Sequence, residues 1–127
     1  MEGSGASKHA CDPQAAIERL GGDVELYKDL LYALFQGVSG QYDALEAAVT
    51  KGDAVAMHHS AHSVKGLAAT CGADRLAECA FELEDLGRAR DTSGADKAFA
   101  NLAEAFRSAQ QELADYLDRG APSRPRA

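Results

Sequence analysis

This 127-residue chain predicts an all-α fold: an antiparallel four-helix bundle with a short additional N-terminal helix. Three observations carry that expectation. Prolines stand only at positions 13, 122 and 125, so the middle of the chain is free of residues that break helices. Alanine, leucine, glutamate and aspartate dominate the composition, and apart from aspartate these are good helix formers. Apolar residues recur at steps of three and four over long stretches, which is the period of a helix with one buried face.

The elements follow in order. "MEGSGASKHA" and "RGAPSRPRA" are Gly/Ser/Pro-rich ends without apolar periodicity, so residues 1–11 and 120–127 are expected to be flexible tails around one domain over residues 12–119. "DPQAAIERLGG" opens with Asp12 as a cap and Pro13 at the first helical position, and closes on Gly21-Gly22, a short helix. Asp23 caps the next helix. Its stripe of Tyr27, Leu31, Leu34, Val38, Tyr42, Leu45 and Val49 runs through Gly37 and Gly40 to a break at "KGD", residues 51–53. A third helix is expected from about Asp53 to Cys71. The fourth runs from about Ala73 to Arg90, with Leu76, Cys79/Ala80, Leu83 and Leu86 inward. "DTSG" separates it from a last helix whose inner stripe is Phe99, Leu102, Phe106, Ala109, Leu113 and Leu117. Long helices joined by short turns pack antiparallel.

Composition and charge exclude several classes of function. A formal charge of −7, with no basic run interleaved with aromatics, argues against nucleic-acid binding. Three cysteines without a CxxC spacing support neither a disulfide framework nor a structural zinc site, and fit a reducing cytoplasm. No apolar run approaches the ~20 residues that cross a bilayer, so no membrane insertion is expected. There is no Gly-rich nucleotide loop, and with it no expectation of ATP-dependent kinase activity.

The informative segment is "HHSAHSVKGLAATCG", residues 58–72. It reads as a helix, yet carries Gly66 in its interior, where glycine costs about 1 kcal/mol relative to alanine. Three of the four histidines of the chain crowd into the two turns just before that glycine. At about 100° per residue, Met57, Ser60, Ala61, Val64, Leu67, Ala68 and Cys71 share one core face, and His62 points almost directly away from it. Gly66 and Ala69 lie on the same outward face as His62. The imidazole therefore stands above a surface stripped of side chains, and the glycine is a clearance for an approaching partner. Lys65 is an i,i+3 neighbour of His62. A neutral imidazole has a nucleophilic nitrogen, and an ammonium beside it can offset the charge of an arriving phosphoryl group.

At these residues the chain resembles the histidine-containing phosphotransfer (HPt) domains of multistep two-component phosphorelays. "HSVKGLAATCGADRLAECAFELE" is similar to the family's exposed His followed by x-hydrophobic-Lys-Gly, a Gly-Ala pair, a Leu and a Leu-Glu. "IERLGGDVELYKDLL" is similar to its openings, so residues 12 to about 118 are covered. The small residues usual after the Lys-Gly are Leu67-Ala68 here. The resemblance implies His62 as phosphoryl acceptor, Lys65 as the charge-stabilising neighbour and Gly66 as the space-maker. It implies as partners the receiver domains of response regulators or of a hybrid histidine kinase, which would contribute Mg²⁺, and no cofactor of the domain's own. The expected state is a cytoplasmic monomer.

Around the acceptor, His58 and His59 are read as a polar rim, with Ala69 on the docking face. His58 and His62 have a spacing that could grip a metal, but no Cys or carboxylate on the helix completes a ligand set, and no metal site is assigned. Arg75, Glu84 and Arg88 could reach the outward face. Only Arg88 is retained as a partner-binding residue, and Glu84 is read as exposed charge. Cys71 and Cys79 are expected inside as small hydrophobes. Two other readings stand beside the phosphorelay intermediate: the phosphate-accepting domain of a chemotaxis-type histidine kinase, and a non-catalytic metal-binding or interaction bundle.

Overall fold

The computed structural model describes residues 11–119, which form five helices and no strand. They are α1 (Pro13–Arg19), α2 (Val24–Lys51), α3 (Ala54–Thr70), α4 (Asp74–Arg88) and α5 (Ala95–Asp118). The first three begin as their sequences dictate. Asp12, Asp23 and Asp53 each accept a hydrogen bond from the backbone N–H three residues on, at 3.1, 3.0 and 3.1 Å. Caps of this kind contribute about 0.5–2 kcal/mol each. α2 continues as one helix through Gly37 and Gly40.

The four long helices close a ring, with α2 on α3, α3 on α4, α4 on α5, and α5 back on α2. Tyr27, Leu34, Leu45, Met57, Val64, Leu76, Leu83, Leu102 and Leu113 fill the space between them and are fully buried. Tyr42 and Val49 of α2, Phe99 and Leu117 of α5, and Cys79 and Leu86 of α4 are half-buried instead of central. They sit at the edges of their stripes, where Tyr42 packs against Phe99 and Phe106 at ring-centroid distances of 5.1 and 5.8 Å. Leu67, also half-buried, leans on α2. A Cβ at Gly37 would lie 3.1 Å from its Cδ1, so the missing side chain makes room for the larger residue that follows Gly66.

α1 covers the end of the bundle where α3 turns into α4. The Asp12 N–H donates to the Gly72 carbonyl at 2.7 Å, and the buried Tyr27 hydroxyl donates to the Cys71 carbonyl at 2.8 Å. Gly72 has φ +78°, and a Cβ on it would meet the Asp12 carbonyl oxygen at 2.5 Å, so both the turn and the contact demand glycine. Cys11, which the sequence places in the N-terminal tail, is 3% exposed and packs with the core. The remaining tail residues, 1–10 and 120–127, lie outside the described residues.

Candidate functional site

α4 comes very close to α3 at Gly87. A Cβ there would stand 2.7 Å from both the Ala54 carbonyl oxygen and the His58 amide nitrogen, so only glycine lets the α4 backbone rest on α3. That contact aims the preceding turn of α4. Three residues before Gly87, the side chain of Glu84 is 3% exposed and faces the outward side of α3.

Glu84 gathers three partners. Its Oε2 lies 2.8 Å from His62 Nδ1 and 3.5 Å from Arg88 Nη2, and its Oε1 lies 2.7 Å from Lys65 Nζ. The lysine contact is a close but off-axis ion pair, not a linear hydrogen bond. The approach of the Lys65 ammonium is the largest cause holding the Glu84 carboxyl below its ordinary value of 4.5. Burial opposes it, and the His62 hydrogen bond adds to it.

An ionised carboxylate can only accept, so Nδ1 of His62 carries the proton and donates it to Glu84. The lone pair then resides on Nε2. The imidazole is 65% exposed, and Nε2 is the nitrogen left for an incoming electrophile. His58 is oriented in the same manner. Its Nδ1 lies 3.2 Å from the Glu84 carbonyl oxygen, which again can only accept, and its ring stacks at 6.4 Å on that of His62.

The remaining residues singled out in the sequence divide cleanly. Lys65 is beside His62, its side chain 32% exposed. Gly66 and Ala69 are exposed on the same face, and a Cβ at Gly66 would meet nothing within 4 Å. His59 is exposed next to His58, with ring centroids 5.5 Å apart. Arg88 joins the site through Glu84 and pairs with Asp85 as well. Arg75 does not join it: it lines the groove between α4 and α5 near Cys79. Among the described residues no three ligating side chains converge as a metal site.

Glu84 is the functional residue that the sequence reading takes for exposed charge, and its burial corrects that. The signal was present. Leu76, Ala80, Leu83 and Gly87 form the buried stripe of α4, and Glu84 falls within it, four residues after Ala80 and three before Gly87. A carboxylate on an apolar stripe needs a cationic or donor partner across the interface.

The depressed pKa of Glu84 has a testable consequence. A group whose folded-state value is lowered contributes stability above its unfolded value and loses it as the pH falls through the folded one. The stability difference between wild type and Glu84→Gln is therefore expected to be present above the ordinary glutamate value of 4.5 and to close as the pH falls below it. Urea titrations at several pH values measure it. A gap that stays open in acid would show that the carboxylate is not ionised among these partners.

The geometry places an exposed imidazole on a helical bundle, hydrogen-bonded to a buried carboxylate, with an ammonium beside it. Comparison with known proteins identifies the family. The Hpt domain profile matches residues 29–119, and the chain belongs to that family. The fold is similar to the crystal structure of histidine-containing phosphotransfer protein B (HptB) from Pseudomonas aeruginosa PAO1. That match has a TM-score of 0.80 at 26% identity and covers 89% of this chain and 98% of the other. No curated protein sequence matches it. The chain is a histidine phosphotransfer intermediate of a phosphorelay. No described helix is long and apolar enough to cross a membrane.

Proposed function

We propose that His62 is the phosphoryl acceptor, and that the group arrives from an aspartyl phosphate on a receiver domain and leaves to the aspartate of another. The observation that carries this reading is the His62–Glu84 hydrogen bond, which engages Nδ1 and so puts the lone pair of the neutral imidazole on Nε2, beside the bare surface of Gly66 and Ala69. In the forward step the Nε2 lone pair forms the P–N bond as the P–O bond of the acyl phosphate breaks, and the electron pair departs on the donor carboxylate. The imidazole becomes cationic, and Glu84 stabilises that charge through the Nδ1 proton. Lys65 exchanges part of its contact with Glu84 for the phosphoryl oxygens, where charge accumulates in a loose transition state. Mg²⁺ in the receiver's own acidic site supplies the remaining neutralisation. His58, His59 and Arg88 form a rim that complements that acidic site although the chain as a whole is negative. The domain acts as a cytoplasmic monomer in this scheme.

The test is transfer from phosphorylated receivers of the same genome, followed by mapping of the acid-labile label. Label on His62 supports the reading, and label confined to His58 or His59 refutes it. Gly66 provides the second measurement. Because a Cβ there meets open space, Gly66→Ala is expected to raise stability by up to about 1 kcal/mol through helix propensity. Gly66→Gln is expected to fold normally yet transfer roughly a hundredfold more slowly, since displacement of the donor by about 1 Å costs that much. A folded Gly66→Gln protein with wild-type transfer would show that the clearance has no role.

A further inference from the structure

Phe81 lies on α4 three residues before Glu84, and its side chain is 49% exposed, so the core does not account for it. Its ring lies 5.2 Å from the Lys65 ammonium, whose other contact is Glu84 Oε1 at 2.7 Å. The cation is thus held between a carboxylate and an aromatic face. The two contacts differ in kind. Glu84 orients the ammonium but also neutralises it, and any phosphoryl oxygen must compete with that carboxylate for it. An aromatic face attracts a cation through its quadrupole and leaves the charge undiminished.

Resting on the assignment of His62 as acceptor, we propose that Phe81 is a positioning residue for phosphoryl transfer. It keeps the Lys65 ammonium beside Nε2 while the lysine passes from Glu84 to the phosphoryl oxygens. Without the ring, the flexible four-carbon stem is tethered only by the contact that the reaction has to loosen. The ring also borders the groove between α4 and α5.

Phosphoramidate, a small donor that needs no receiver, isolates this role. Attack by Nε2 breaks the donor's P–N bond, forms the phosphohistidine and releases ammonia. The rate of label acquisition on His62 is expected to fall about two- to fivefold in Phe81→Leu, which keeps an apolar side chain but removes the π-face, and to be retained in Phe81→Trp. In a Lys65→Ala background, Phe81→Leu should change nothing further, because its effect passes through the lysine. By NMR, the Lys65 side-chain methylene protons should show an upfield ring-current shift in the wild type that disappears in Phe81→Leu. An unaltered rate in Phe81→Leu, or an equal loss in both backgrounds, would overturn the role of Phe81 alone. Wild-type protein that takes no label on His62 would overturn the acceptor assignment and the role built on it.

Discussion

His62→Gln is expected to abolish phosphorylation by a phosphorylated receiver or by phosphoramidate while leaving the fold intact. The loss should be complete, because Nε2 is the atom that forms the bond and an amide nitrogen has no comparable lone pair. His58 does not substitute for it. Its ring is half-buried, 6.4 Å from that of His62 and a turn further from the open surface at Gly66. Stability should change by no more than about 0.5 kcal/mol, as is usual for an exposed position. Glutamine can also donate to Glu84 in place of Nδ1, so the buried carboxylate keeps a partner. Paired melts and label measurements read both halves. Residual acid-labile label at the wild-type level would remove His62 from the centre of the mechanism.

Gly87→Ala is expected to lower stability by about 1–3 kcal/mol, the range for overpacking a well-filled interface. The added methyl would stand 2.7 Å from two backbone atoms of α3, and backbone cannot turn aside as the end of a side chain can. The gain of up to about 1 kcal/mol in helix propensity is the only offset. Separation of α4 from α3 would also withdraw Glu84 from His62, so label acquisition should slow in parallel with the drop in melting temperature. The same substitution at Gly66, where the surroundings are open, has the opposite sign. A Gly87→Ala protein as stable and as active as wild type would show that the close approach of α3 and α4 does not position the site.

Elements whose causes lie within a few residues of one another were readable in advance. The three capping aspartates, Pro13 at the start of α1 and the stops at Gly21-Gly22 and Gly52 act locally, and the observed helices agree with them. The edges of the buried stripes were less so. Tyr42, Val49 and Cys79 belong to the apolar faces by periodicity, but their half-burial depends on where the neighbouring helices stop covering them. Cys11 belongs to a polar tail by composition and is buried because Asp12 is anchored to Gly72.

The candidate site divides along the same line. The sequence by itself determined a helix with His62 opposite the core, Lys65 one turn on, and Gly66 beneath the imidazole, because all three relations follow from the pitch of a single helix. Only the tertiary structure decided what orients the imidazole. Glu84 is 22 positions away in the chain, on another helix. Its meeting with His62 depends on how closely two helices approach, and that distance is set at Gly87 by contact with the α3 backbone. The period of one helix specifies which way a side chain points, whereas the packing of two specifies what it meets. The tautomer of His62, and with it the nitrogen that is free to react, is therefore a property of the α3–α4 interface.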